Sequence, residues 1–188
     1  MLMKRNDYGK FNSHALYDMD FRRIMMTDIY ETKYYLHTVY FPLFTAANCQ
    51  IYDLLNDFSL DKELEMINLN IVSLHILTKL FLKDMIKKDK GYIMNIASSA
   101  GFLAGPYLNT YYASKNYVTK WTMALYEELR RVKSNVVISC LCPGPVETNF
   151  NNVAGGSFVI KGLKSEDVAK YAVDKMFKNK LLIIPTIK

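Results

Sequence analysis

The sequence predicts an α/β fold with a parallel sheet, and three observations carry that expectation. Helical and strand-like patterns alternate along the chain. No repeat or low-complexity tract interrupts them. The composition is that of an ordinary globular protein, 51% apolar and 22% charged in 188 residues, enough for one domain with its own core.

Residues 1–33 are polar and mixed, with a helical stretch suggested at Asp18 to Tyr30. Tyr35 to Thr45 reads as an apolar strand interrupted by Pro42, an uncomfortable residue in a central strand. Asp61 to Lys88 is the best helix pattern, with Leu60, Leu64, Ile67, Ile71, Leu74, Phe81 and Met85 at three- and four-residue steps. Ser59 or Asp61 can cap it, and Gly91 follows its basic end as a stop. Tyr92 to Ala97 is a short strand, and Gly101 to Asn109, with two glycines and Pro106, is a loop. Thr110 to Lys133 is a second long helix, with Ser114, Tyr117, Val118, Trp121, Leu125 and Leu129 on one side. Asn135 to Leu141 is a β-branched strand ended by Cys142-Pro143-Gly144-Pro145. Ser165 opens a helix through Phe177, and Leu181 to Pro185 is a last strand. A helix–strand–helix–strand run of this kind crosses over right-handedly, and ligands bind at the carboxyl ends of its strands. Here those ends are Ala97-Ser98 and Leu141-Cys142-Pro143-Gly144.

The composition argues against disorder, which needs low hydrophobicity. The net charge of +6 comes from scattered lysines, and the densest run, Lys87 to Lys90, reads as a solvated helix end. No nucleic-acid partner is expected. Three cysteines, Cys49, Cys140 and Cys142, suggest free thiols in a reducing compartment, with Cys140 and Cys142 as small core residues on one strand face. No metal-ligand spacing surrounds them. The N-terminus has no apolar signal core. Tyr34 to Tyr52 lacks Asp, Glu, Lys and Arg, but His37, Pro42, Asn48 and Gln50 favour a buried strand over a membrane span. The expectation is a cytoplasmic protein with no membrane partner.

Tyr111 and Lys115 are four residues apart near a helix start and share a face. An ammonium beside a phenol favours the phenolate and lowers its pKa from ~10 toward neutrality, which makes a usable general acid. Ser98 ends a strand 13 residues earlier and can polarise a carbonyl oxygen gaining charge, or it can merely terminate the strand. Asn70 sits inside an apolar helix, where asparagine is unfavourable unless its side chain has a local partner such as a kinked backbone or an ordered water. A solvent-facing position is the plain alternative, and Asn68 competes for either role.

These residues resemble the short-chain dehydrogenases/reductases. GYIMNIASSAGFLAGPYLNTYYASKNYV, Gly91 to Val118, looks like their catalytic segment, and LCPGPVETNF, Leu141 to Phe150, like their Pro-Gly segment. ELEMINLNIVSLHILTKLFLKDM, Glu63 to Met85, looks like their long dimer-forming helix. Ser165 to Pro185 is similar to the tail of a bacterial reductase subgroup. The likeness covers about residues 58–188. It implies a single Rossmann-like, doubly wound domain over residues 1–188, incomplete or altered in its first βαβ unit, with 1–45 atypical. It also implies roles. Tyr111 would be the general acid/base, Lys115 would hold the nicotinamide ribose and lower the Tyr111 pKa, and Ser98 would bind the substrate oxygen. Asn70 would hold a water of a proton relay. Pro143 and Gly144 would line the nicotinamide, Val146 would contact its carboxamide, and Thr148 would bond near the carboxamide or the pyrophosphate. The implied cofactor is NAD or NADP, the substrate a small carbonyl or alcohol, and the assembly a homodimer or homotetramer through the two long helices.

The pattern departs from the family at its start. Before Gly91 the only glycine is Gly9, so no glycine-rich turn can receive a pyrophosphate at a helix N-terminus. Thr45-Ala46-Ala47-Asn48 stands where an Asn-Asn-Ala-Gly turn belongs, and the tail stops just after the last strand. The expected function is carbonyl reduction or alcohol oxidation. The rival is an inactive relative, a pseudoenzyme or interaction scaffold that binds cofactor poorly.

Overall fold

The structure, a computed structural model, describes residues 43–44, 60–147 and 162–185. The expectations for the first 42 residues, the turn at Thr45 to Asn48, Cys49, Ser59 and Thr148 to Phe150 lie outside the described residues.

Strand β1 is Leu43–Phe44. Helix α1 runs Leu60–Lys88 and changes pitch on the way: the α-helical Leu60–Ile67 and Leu74–Lys88 are joined by a π-helical stretch, Asn68–Ser73. Strand β2, Gly91–Ile96, is followed by a 3-10 turn at Ser99–Phe102, helix α2 at Asn109–Arg131 and strand β3 at Val136–Leu141. Two short strands, β4 at Val146–Glu147 and β5 at Leu163–Lys164, precede helix α3, Ser165–Phe177, and strand β6, Leu182–Ile183. The main sheet is parallel, in the order β1-β2-β3-β6, and β4 pairs with β5 in a second parallel ladder.

The sheet forms because alternate residues of its strands face two helical layers. Ile93 and Ala97 of the second strand region, with Val136, Ile138, Cys140 and Cys142, pack against Leu74, Leu82 and Met85 of α1 and Val118, Leu125 and Leu129 of α2. Met94, Ile96, Leu141 and Ile183 pack on the opposite face against Val168, Ala169, Ala172 and Met176 of α3. The chain steps across the sheet in one direction throughout. With α1 and α2 on one face and α3 on the other, the β3-to-β6 crossover has the opposite hand to the two before it, a departure from the usual uniform handedness.

Among the described residues the predicted elements form, with three differences. In α1 the buried residues are Met66, Asn70, Leu74, Thr78, Leu82 and Met85, whereas Leu60 and Leu64 of the predicted apolar stripe are exposed. The π turn inserts an extra residue, so Met66 and Asn70 are buried there in place of Ile67 and Ile71, and the polar Asn70 enters the interior; Thr78 lies one turn after Leu74, on the predicted stripe. The helix stop also lies elsewhere. Asp89 takes the left-handed capping conformation at φ 46°, and Gly91, at φ 152°, is the first residue of β2. A Cβ at Gly91 would lie 2.5 Å from the Met85 sulfur. The loop after β2 is not irregular from its start, because Ser98 caps the 3-10 turn.

The interior polar groups are matched to one another. Thr78 of α1 donates to Asn95 Oδ1 at 3.1 Å, and Asn95 Nδ2 donates to Thr122 of α2 at 3.0 Å. This bridge ties both helices to β2 at groups that would otherwise be costly to bury. At the amino ends of β2 and β3, Asp89 accepts from the Asn135 backbone N–H at 2.8 Å and from the Ser134 hydroxyl and Asn135 amide, clipping the end of α1 to the start of β3. The lysines at 87, 88 and 90 are exposed, as a solvated helix end requires.

Candidate active site

The carboxyl ends of β2 and β3 remain paired beyond the strands themselves. Ala97 donates to Leu141 at 2.8 Å and Ser99 donates to Pro143 at 2.8 Å. This extension sets Ser98 beside Pro143. Its Oγ accepts from the Ala100 N–H at 3.2 Å and donates to the Pro143 carbonyl at 3.4 Å. Of the two sequence readings of Ser98, the geometry shows the strand terminus, placed where the end of β3 arrives. Among the described residues nothing lies within 4 Å of where a Cβ on Gly144 would stand.

Helix α2 carries the next group of residues. Lys115 is 2% exposed, and its Nζ donates to the Ile96 carbonyl, at the end of β2, at 3.3 Å. The same Nζ lies 5.7 Å from the centre of the Tyr111 ring, as the four-residue spacing requires. A cation this deep is held by hydrogen bonds and short-range electrostatics, because burying a charge otherwise costs several kcal/mol. Thr119 Oγ1 donates back to the Lys115 carbonyl at 2.8 Å.

Asn70 is fully buried and Asn68 is exposed, so the competition between them resolves to Asn70. The π turn is what brings it inward. Asn70 Nδ2 donates to Ser114 Oγ at 3.0 Å, and Ser114 Oγ donates to the Tyr111 carbonyl at 2.7 Å. The solvent-facing alternative for Asn70 is thereby excluded. Two helices are linked, through Ser114, to the backbone of the tyrosine. Ser114 was legible only as one residue of a helix face.

The thiols behind this cluster respond to it. Cys140 and Cys142 have their sulfurs 3.6 Å apart and are buried, as expected for core residues. The hydrogen bond with Cys142 and burial push the Cys140 thiol well up. The Cys142 thiol is drawn down, first by its hydrogen bond with Cys140, then by Thr119 and the Lys115 ammonium, against its own burial.

Of the remaining candidates, Pro143 and Gly144 lie at the end of β3, and Val146 lies in β4, half-buried. Thr148 lies outside the described residues. A half-buried aromatic group, unforeseen as a unit, sits where α1 meets α2: His75 Nδ1 is 2.7 Å from the Tyr117 hydroxyl, and its ring stacks on Trp121 at 4.3 Å. Burial and then Lys79 lower the His75 pKa, which favours the neutral imidazole. Burial raises that of Tyr117. Among the described residues no three His, Cys, Asp or Glu side chains gather as a metal site.

Known proteins resemble this chain in sequence and in fold. The short chain dehydrogenase profile matches residues 43–155, more than half the chain. Dehydrogenase/reductase SDR family member 11 of Bos taurus is 34% identical over 122 residues, covering 58% of this chain and 48% of that protein. The ketoacyl reductase HetN of Nostoc sp. is 33% identical over 140 residues, covering 73% and 48%. The very-long-chain 3-oxoacyl-CoA reductase of Anas platyrhynchos is 35% identical over 100 residues, covering 53% and 31%. The chain thus spans about a third to a half of the length of these curated relatives. A short-chain dehydrogenase from Sphingobium yanoikuyae in complex with NADPH superimposes with a TM-score of 0.71 at 17% identity, covering 91% of this chain and 65% of that one. At that identity the superposition establishes the shared Rossmann-like fold. With its profile match, its paired strand ends and its buried Lys115 beside Tyr111, the chain belongs to the short chain dehydrogenase family.

Proposed function

We propose that this chain is a nicotinamide-dependent oxidoreductase that interconverts a carbonyl and an alcohol, with Tyr111 as general acid/base. The observation that carries the reading is the buried Lys115, bonded to the Ile96 carbonyl and lying beside the Tyr111 ring at the carboxyl edge of the sheet. A lysine placed there serves no packing need that a Leu or Met would not meet at lower desolvation cost. Beside a phenol, its charge favours the ionised form through which a proton is taken or returned.

The residues present fit the nicotinamide half of a dinucleotide. The Gly144 backbone, clear of other described residues and next to Ser98 and Pro143, offers a cradle that a side chain would fill. When bound, a nicotinamide would supply or accept the hydride in this reaction. The chain's own residues do the rest. Lys115 would hold ribose hydroxyls, Ser98 Oγ would turn from Pro143 to the substrate oxygen, and Tyr111 would give that oxygen a proton in reduction or take it in oxidation. Asn70, bonded to Ser114, would hold the Tyr111 backbone in place and support a water leading protons away. Val146 and Thr148 would line the carboxamide side. The relatives named as ketoacyl and 3-oxoacyl-CoA reductases support a carbonyl substrate, and NAD and NADP both remain candidates.

The accompanying assembly is a cytoplasmic homodimer or homotetramer formed by α1 and α2. Leu60–Lys88 is long and apolar enough, by length and composition, to cross a membrane. Its inner side packs on the sheet and α2, and apolar residues such as Val72 and Leu80 remain exposed. A second copy covering that face accounts for them without a bilayer.

The test is oxidation of NADH and NADPH against a panel of ketones and 3-oxoacyl thioesters. Tyr111→Phe is expected to lower kcat at least ~100-fold, the lower range for a positioned acid/base. Unchanged turnover in that variant removes the assigned chemistry. The absence of any saturable cofactor binding, followed through Trp121 fluorescence, favours the inactive relative, a reading motivated by the missing glycine turn.

A further inference from the structure

Asn116 follows Lys115 directly and has no place in the roles described above. Its side chain is half-buried, and its amide nitrogen makes three contacts: 3.0 Å to the Ala100 carbonyl, 2.8 Å to the Leu103 carbonyl and 2.9 Å to the Tyr112 carbonyl. An asparagine inside a helix is unfavourable unless its side chain finds such partners. Here two N–H donors serve three acceptors, two of them in the turn that follows β2. That turn is also pressed onto α2 at a second point. A Cβ at Gly101 would lie 2.2 Å from Thr119 Oγ1 and 2.8 Å from the Lys115 carbonyl oxygen, so only glycine fits.

The contacts form a chain that ends on a candidate site residue. Asn116 holds the Ala100 carbonyl, and the N–H of Ala100 is donated to Ser98 Oγ at 3.2 Å. The Tyr112 carbonyl, one helical turn before Asn116, aims the amide. Two adjacent four-residue pairs therefore lie side by side on α2: Tyr111 with Lys115, and Tyr112 with Asn116. The segment that Asn116 grips leads into Gly105, Pro106 and Tyr107, the last at φ 64°, a stretch with few backbone bonds of its own.

We propose that Asn116 is a positioning residue that fixes Ser98 relative to Tyr111 by anchoring the turn at Ser99–Phe102 to helix α2. The inference rests on the oxidoreductase reading above. Without the anchor, the turn shifts, Ser98 Oγ loses its Ala100 donor, and the substrate oxygen is no longer held between the hydroxyl and the phenol. A displacement of about 1 Å at a reacting centre can cost up to ~100-fold in rate.

The experiment compares the chain with Asn116→Asp, which keeps the shape but turns a carboxylate toward three carbonyls, and with Asn116→Ala. Amide hydrogen exchange is followed at Gly101 and Leu103, whose N–H groups bond Ser98 and Ala100, with Ala97 and Cys140 in the sheet as internal references. Turnover is normalised to the fraction of chain that binds cofactor, so partial unfolding does not count as lost chemistry. Both variants should exchange at least ~10-fold faster at Gly101 and Leu103 but not at the references. Their normalised kcat should fall ~10-fold or more, with the carbonyl KM raised and cofactor affinity kept. Unchanged exchange at the turn overturns the anchor. Faster exchange with normal kcat and KM overturns its positioning role, as does a rate loss shared equally with cofactor affinity. A parent chain whose turnover is absent or insensitive to Tyr111→Phe refutes the oxidoreductase reading, and with it the catalytic meaning of the anchor, while exchange still reports whether the anchor exists.

Discussion

Individual residues here are chosen by backbone conformation and by hydrogen-bond capacity. Gly91 combines both constraints, since φ 152° excludes a side chain sterically and Met85 occupies the space a Cβ would need. Gly91→Ala is expected to destabilise the fold by ~1–3 kcal/mol, read as a lowered midpoint in urea. An unchanged midpoint would mean that the α1–β2 junction adapts freely. Asp89 offers a pH test. The Asn135 backbone N–H, then the Ser134 hydroxyl and the Asn135 amide, hold its carboxylate below the ordinary range. Its folded pKa is below its unfolded one, so the stabilisation is present above ~3.9 and is lost as pH falls through the folded value. The stability difference between the chain and Asp89→Ala should therefore shrink as the solution is acidified below pH ~4. A difference constant with pH would place the effect in the left-handed cap alone.

At the scale of elements, polar residues buried among apolar ones mark where elements are tied together. Asn95 is fully buried between Thr78 of α1 and Thr122 of α2. Asn95→Ala would leave the Thr78 hydroxyl without its acceptor, at a cost of about 1–3 kcal/mol in addition to the cavity. Thermal unfolding of that variant combined with Thr78→Val should show less than additive loss, because the two share one bond. Additive losses would contradict the bridge. Asn70 and Asn116 follow the same logic, and both were open to inspection as asparagines in helical patterns. Asn70 stood out because its surroundings are apolar. Asn116 did not, because it follows Lys115 in a mixed segment and its acceptors lie 13 and 16 residues away in a loop.

At the scale of the molecule, the apolar surface left on α1 and the half-buried His75, Tyr117 and Trp121 group call for a cover. A homodimer is the expected state in sedimentation, without detergent and at micromolar concentration. A monomer there, or a chain recovered only with lipid vesicles, would overturn that assembly.

The alternation of helices and strands, the strand ends where a site belongs, and the spacing of Tyr111 and Lys115 are legible in the amino-acid order alone. These are local properties, set by periodicity, turn residues and the helical pitch. Which asparagine turns inward, where the helix ends, that α3 takes the opposite face of the sheet, and which loop Asn116 holds emerge on folding. Each of those depends on contacts between segments distant in sequence. The π turn at Asn68–Ser73 is the clearest case: a shift of one residue in helical register puts Met66 and Asn70 inside where the apolar pattern pointed to Ile67 and Ile71, and no pattern of hydrophobicity encodes that shift.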